Sequence, residues 1–173
     1  MIAPAWEEIS SERYEDFWAP FEARFDFTPR YTEPGSAVVE PRPSVTIDLG
    51  PLFASPRPTF AAGQAAINAL ALLAMTQAFP ASERLLVLDW QHPSYWFWPH
   101  RQATGDDQMW PARQAWPVEV FPDGDYYAFL TEDMTEGTFG HPWEQTLCIF
   151  GPRLMPQLQP LLTSWMPVKR SRL

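Results

Sequence analysis

His141 and Glu144 stand three residues apart in the run Gly137-Thr138-Phe139-Gly140-His141-Pro142-Trp143-Glu144. At that spacing a carboxylate can orient an imidazole or share a proton with it. With Asp125, and with His92 or Asp89 converging from earlier in the chain, the pair would furnish acid–base chemistry in an aromatic-walled pocket. The supporting pattern is thin. The sequence contains no His-Glu-x-x-His, no Cys-x-x-Cys and no paired histidines at ligand spacing, so neither a metal nor a cofactor is expected. It has no Gly-x-Ser-x-Gly elbow and no phosphate-binding glycine loop. His92 and His141 both precede proline, which pushes their backbone towards extended conformations. A structural histidine, hydrogen-bonded to backbone, is the simpler reading of His141. Cys148, flanked by Leu147 and Ile149, is expected to be buried and inert. Asp123-Gly124-Asp125 lacks the further ligands of a calcium loop, and a hairpin turn accounts for it.

The charge distribution offers a different use for the same region. From Gln114 to Pro152 there are seven acids (Glu119, Asp123, Asp125, Glu132, Asp133, Glu136, Glu144) and no lysine or arginine. Among the nine tryptophans, Trp116 and Trp143 fall in this stretch, beside Tyr126. Asp89, His92, Trp116, Asp123, Asp125, Tyr126, His141, Trp143 and Glu144 are therefore the candidate binding residues. The net charge of −9 argues against nucleic acid, since phosphate binding relies on lysine and arginine displacing counterions. An acidic surface favours a basic protein partner instead. The basic cluster Lys169-Arg170-Ser171-Arg172 reads as a short solvated tail.

The elements that must position these residues follow from periodicity. Tyr14, Phe17, Trp18, Phe21 and Phe25 form a helical stripe behind Ser10 and Ser11, with Pro20 expected to kink or shorten it. Ser44 to Leu49 alternates as a strand. Between Arg57 and Glu83 lie 25 uncharged residues, long enough for a bilayer. Gly63, Ile67, Leu70, Leu73 and Ala74 share one face there, however, and Gln64 and Asn68 another, as in a core helix from Thr59 to about Phe79. Arg84 to Trp90, Tyr95 to Trp98, Trp116 to Phe121, Tyr126 to Leu130 and Glu144 to Phe150 read as strands. Thr104 to Asp107 reads as a loop. Asp123-Gly124 should be a type I′ turn pairing Val118–Phe121 with Tyr126–Leu130. A helix broken by Pro156 and Pro160 follows from Leu154 to Trp165.

The fold expected is α+β, a single domain with a mostly antiparallel sheet of about five to six strands packed with two or three helices. Its core runs from about residue 6 to 166, with a tail at 167–173. The N-terminus has no positive region followed by an apolar one, and one cysteine cannot form an internal disulfide, so a cytoplasmic, non-membrane protein is expected.

Leu88-Asp89-Trp90-Gln91-His92-Pro93-Ser94-Tyr95, Pro122-Asp123-Gly124-Asp125-Tyr126-Tyr127 and the Gly137–Glu144 run together resemble the bacterial family catalogued as domain of unknown function 2716. The resemblance covers most of the chain, from the Trp18/Phe25 helix to Leu154. It implies a bacterial origin and a small domain, and carries no catalytic residue with it. Two functions from different classes stand. One is a non-catalytic acidic protein-binding module, a profile shared with bacterial immunity proteins. The other is a small enzyme or ligand-binding domain with a histidine–carboxylate aromatic pocket.

Overall fold

Leu85 to Leu88 are apolar without alternation, and a strand of that kind is stable only when both its faces are covered. In a computed structural model, which describes residues 3–30, 35–104 and 116–173, both are. Leu85 and Val87 join one apolar cluster while Leu86 and Leu88 join another on the opposite face.

The elements, in order, are β1 (Trp6–Glu8), a 3-10 turn (Ser11–Arg13), α1 (Tyr14–Phe25), β2 (Ser44–Asp48), α2 (Gly50–Phe53), α3 (Arg57–Ala78), β3 (Leu85–Asp89), β4 (Tyr95–Phe97), α4 (Pro99–Thr104), β5 (Tyr127–Leu130), β6 (Gly137–His141), β7 (Thr146–Phe150), α5 (Met155–Thr163) and β8 (Val168–Arg172). The strands form one sheet in the order β1-β4-β3-β5-β6-β7-β2-β8, every neighbouring pair antiparallel. The architecture is thus α+β with an antiparallel sheet. Among the described residues, eight strands and five α-helices exceed the five to six and two or three expected.

One face is covered by α3 and α5, whose Ile67, Ala71, Met75, Leu158 and Leu162 pack on Val45, Ile47 and Ile149. α3 is long and apolar enough to cross a membrane by composition, and here one of its faces lies in this core. The other face is covered by Trp18, Phe21 and Phe25 of α1 together with Ala37 and Val38. Pro20 lies within α1 and Pro160 within α5, and each helix continues past its proline.

The Asp123-Gly124 hairpin is not formed. A type I′ turn needs positive φ at both central residues; Gly124 has φ 109°, whereas Asp123 is not among the residues of positive φ. Trp116 to Phe121 is irregular, because its backbone is satisfied by a side chain rather than by a strand. Asn68 Oδ1, on α3, accepts the N–H groups of both Val120 (2.9 Å) and Phe121 (3.0 Å). Tyr127 to Leu130 pairs with β3 and with β6. The expected loop at Thr104 to Asp107 lies outside the described residues from Gly105 onward.

The solvated basic tail is also corrected. Residues 168–172 form an edge strand on β2, with Thr46 opposite Arg170 and Ser44 opposite Arg172. Arg170 reaches two carboxylates at once: Nη2 donates to Glu40 Oε1 (2.6 Å) and Nη1 to Glu144 Oε1 (2.7 Å). Glu40 also accepts from Thr46 Oγ1 (2.7 Å) and from Arg172 Nε (3.2 Å). Removing one partner of a buried ion pair strands the other charge, at a cost of about 3–5 kcal/mol. Arg170→Ala should therefore lower stability to urea by about 3 kcal/mol. Lys169→Ala, exposed on the same strand, should stay within roughly 0.5 kcal/mol of the parent.

Candidate functional site

Neighbouring strands bring together residues that are far apart in sequence. Asp89 ends β3 opposite Tyr127, and Asp125 lies two residues before that partner, so the two carboxylates meet at one end of the β3–β5 ladder. The loop from β3 to β4 then returns His92. Its Nδ1 lies 2.9 Å from Asp89 Oδ1 and 3.6 Å from Asp125 Oδ2. Both acid side chains are buried, at 7% and 6% exposure, while the imidazole is 62% exposed. Asp125 is fixed further by the Tyr126 N–H donating to its Oδ1 at 2.7 Å.

Burial pushes the Asp89 carboxyl above the ordinary range, opposed by the His92 hydrogen bond. Asp125 is raised first by burial and also by the Asp89 charge. His92 is raised by its hydrogen bond to Asp89 and by that residue's charge. The group thus holds protons more tightly than its parts would in water, as expected where two acids share a partly dry site.

His92 also lines a cleft of about 410 Å³ between the N-terminal segment and the β3–β4 loop. Ile9, Tyr14, Phe17 and Trp90 form its apolar walls, with Glu8 at the rim. Tyr14 Oη donates to the Trp90 carbonyl (3.1 Å), tying α1 to the loop. Ser94, also in the lining, is 6% exposed, and its buried Oγ has no hydrogen-bond partner among the described residues. Tyr14 and Phe17 read in the sequence only as a helical core stripe, and nothing in the local pattern marks Ser94. The one usable signal was the break between the apolar β3 run and the polar Gln91-His92-Pro93-Ser94 loop.

The other expected convergence does not occur. The His141 ring is buried at 1% exposure, against Tyr126 at 4.8 Å between centroids and Trp143 at 6.3 Å. Its Nδ1 accepts the Glu144 backbone N–H (3.1 Å), while the Glu144 carboxylate turns to Arg170 and to Thr146 Oγ1. Burial drives the His141 pKa down to about 4. Burial alone would raise Glu144, but its hydrogen bonds from Arg170 and Thr146 hold it below the usual carboxylate range. His141 and Glu144 are therefore braces of the β6–β7 turn, and their carboxylate–imidazole pair is not assembled.

The remaining candidates are dispersed. Trp116 packs on the α3-side core near Trp6, and Asp123 accepts from Gln64 Nε2 (2.9 Å). Tyr126 is wholly buried, its Oη donating to the Arg30 carbonyl (2.9 Å), and Trp143 lies half-exposed over it. Cys148 is buried, which pushes its thiol up to about 12. The seven acids of 114–152 do not make one surface. Asp125 and Glu136 are buried, Glu132 pairs with Arg84, and Glu136 pairs with Arg153.

Fold and site together define a three-layer domain, helices over both faces of an antiparallel sheet, with a carboxylate–imidazole cluster beside an aromatic cleft at one end of its central ladder. The chain belongs to the protein family of unknown function DUF2716, whose model matches residues 8–155 and so takes in the whole cluster and the cleft. It is 44% identical over 71 residues to an uncharacterized protein of Bacillus subtilis strain 168, YxiI; that stretch covers 41% of this chain and 41% of the relative. No solved structure matches the chain.

His141 has a measurable consequence. Its pKa is about 4 in the fold against an ordinary 6.5, so the unfolded chain takes up the proton first as pH falls. Stability from keeping the ring neutral is complete above about pH 6.5 and drains towards pH 4, by on the order of 3 kcal/mol. In His141→Asn, whose Oδ1 can take the place of Nδ1, denaturation series across that range should show the slope flattened.

Proposed function

We propose that the protein is a ligand-binding domain whose ligand enters the cleft between the N-terminal segment and the β3–β4 loop. The observation that carries this reading is an aromatic-walled cleft that adjoins a buried carboxylate pair through the shared His92. A cleft of about 410 Å³, largely apolar with a few convergent polar groups, has the size and make-up of a small-molecule site. Tyr14, Phe17 and Trp90 suit a flat or aliphatic body, and the exposed His92 imidazole supplies a polar group beside them. No residue in the lining forms a nucleophile–base pair, so binding is the better-supported half of the enzyme-or-binder alternative.

A fragment screen followed by NMR tests it. Hits should shift the Trp90 indole N–H together with the amides of His92 and Ser94. Ser11→Trp, placing a ring in the cleft from an exposed position, should weaken them at least tenfold. Hits that bind the variant as well as the parent, or that move only residues outside the cleft, overturn the reading.

A basic protein partner is the second reading, and one observation favours it at this place. Glu7, Glu8, Glu12 and Glu15 are exposed without ion pairs among the described residues, close in sequence to the cleft wall. A partner steered by these acids should associate more slowly as salt rises, because exposed charges are screened beyond about 8 Å at physiological ionic strength. Pull-downs at low and high salt should enrich a basic protein only at low salt; enrichment indifferent to salt would count against steering.

A further inference from the structure

Asp89, His92 and Asp125 supply two carboxylate oxygens and one imidazole nitrogen that all lie within 4.8 Å of one another. Three features distinguish them from an ordinary surface cluster. The first is spacing. Metal–ligand bonds of about 2.1 Å hold neighbouring ligand atoms roughly 3.0–3.4 Å apart. His92 Nδ1 stands 2.9 Å from Asp89 Oδ1 and 3.6 Å from Asp125 Oδ2, so two of the three edges are close to that spacing, and the third is no longer than 4.8 Å.

The second is the imbalance of charge. Two acid side chains, each more than nine-tenths buried, lie side by side, and the ion-pair partner they have among the described residues is a largely exposed imidazole. Buried charges are paired or coordinate metals, and a dication would neutralise both acids at once. Asp89 is held by the β3–β5 register, and Asp125, in the bend just before β5, accepts the Tyr126 N–H through its carboxylate. His92 sits on the loop, where it can adjust to a bond length.

The third is independent of the acids. Ser94, two residues from His92, is 6% exposed and carries a buried hydroxyl with no hydrogen-bond partner among the described residues, in the lining of the cleft that His92 shares. A buried hydroxyl left unpaired costs free energy, so this corner beside His92 is short of a hydrogen-bonding group.

We infer that Asp89, His92 and Asp125 form a binding site for a divalent transition-metal ion, which takes the place of the Nδ1 proton beside the cleft that His92 lines. The mixed oxygen–nitrogen ligand set suits Zn2+ or Mn2+; Mg2+ and Ca2+ prefer all-oxygen shells, and Cu+ prefers sulfur. The site goes beyond the cleft reading, because it stands on its three ligands whether or not a small molecule binds beside them.

The test is titration calorimetry of the untagged full-length chain, stripped with chelator, using ZnCl2 as the probe. One ion should bind per chain, and only the His92 ring signals among the three histidines should shift in the NMR spectrum. Asp125→Asn and His92→Ala should each weaken binding at least tenfold. His92 is largely exposed, so its variant remains folded if the buried Asp125→Asn does not. Ser11→Trp should leave Zn2+ affinity within twofold, which separates failure of the metal site from failure of the cleft. The inference is overturned if no one-to-one binding appears below millimolar Zn2+, or if His92→Ala binds as tightly as the parent.

Discussion

The guanidinium of Arg170, held between Glu40 and Glu144, is the contact on which the rest of the arrangement leans. It joins three pieces of chain that share no continuous element: the segment entering β2, the turn between β6 and β7, and the last strand. Glu144 belongs to the turn whose backbone N–H holds His141, and the His141 ring packs on Tyr126. Tyr126 is the neighbour that fixes Asp125. A continuous line of contacts therefore runs from the edge strand to the carboxylate pair. Charge-assisted, bidentate contacts suit this task, because arginine's planar fork fixes orientation as well as distance.

The acid-rich composition acquires a different meaning once the contacts are known. Several acids in the second half of the chain are structural partners: Glu136, buried, takes the Arg153 side chain and the N–H groups of Arg153 and Leu154, and Asp133, exposed, is held low by Thr131 and Thr135. Exposed acidity without ion pairs is concentrated instead before and within α1, beside the cleft. The aromatic residues divide similarly. Most belong to the two cores, and Tyr14, Phe17 and Trp90 are left to wall the opening.

Elements whose hydrophobic pattern answers to a single cover were legible in the sequence. The α1 stripe, the extent of α3, and β2, β3, β4 and β7 lie where periodicity put them, although on α3 Leu73 of the expected apolar face is exposed and Asn68 of the other is buried. The short β1, α2 and α4 were not read from the sequence, and three further departures have tertiary reasons. Trp116 to Phe121 has strand composition, but Asn68 claims its backbone donors. β6 contains two glycines and reads poorly as a strand. At Gly140 a side chain would press into Pro122, and at Gly137 a Cβ would overlap the Phe129 carbonyl oxygen, so close packing demands what propensity disfavours. β8 is nearly all charge, and only the buried Glu40, 130 positions away from Arg170, makes it a strand. Of the site, Asp125 with His92 or Asp89 was expected to converge on His141 and Glu144; that Asp89, His92 and Asp125 meet without that pair depends on the β3–β5 register. His141 and Glu144 looked paired in sequence because backbone and side chain of Glu144 cannot be told apart there.

The order of the sheet bears on how the chain reaches this state. β2 is made early, yet its two neighbours are β7 and β8, roughly a hundred residues later. Until they arrive, Ser44 to Asp48 presents two unpaired edges of mostly buried, β-branched residues, the kind of template that recruits foreign strands. Contacts this distant in sequence are slow to close. Completion of the domain is therefore timed by its last segment, and the cationic side chains that finish the sheet also leave its outer rim unattractive to another strand.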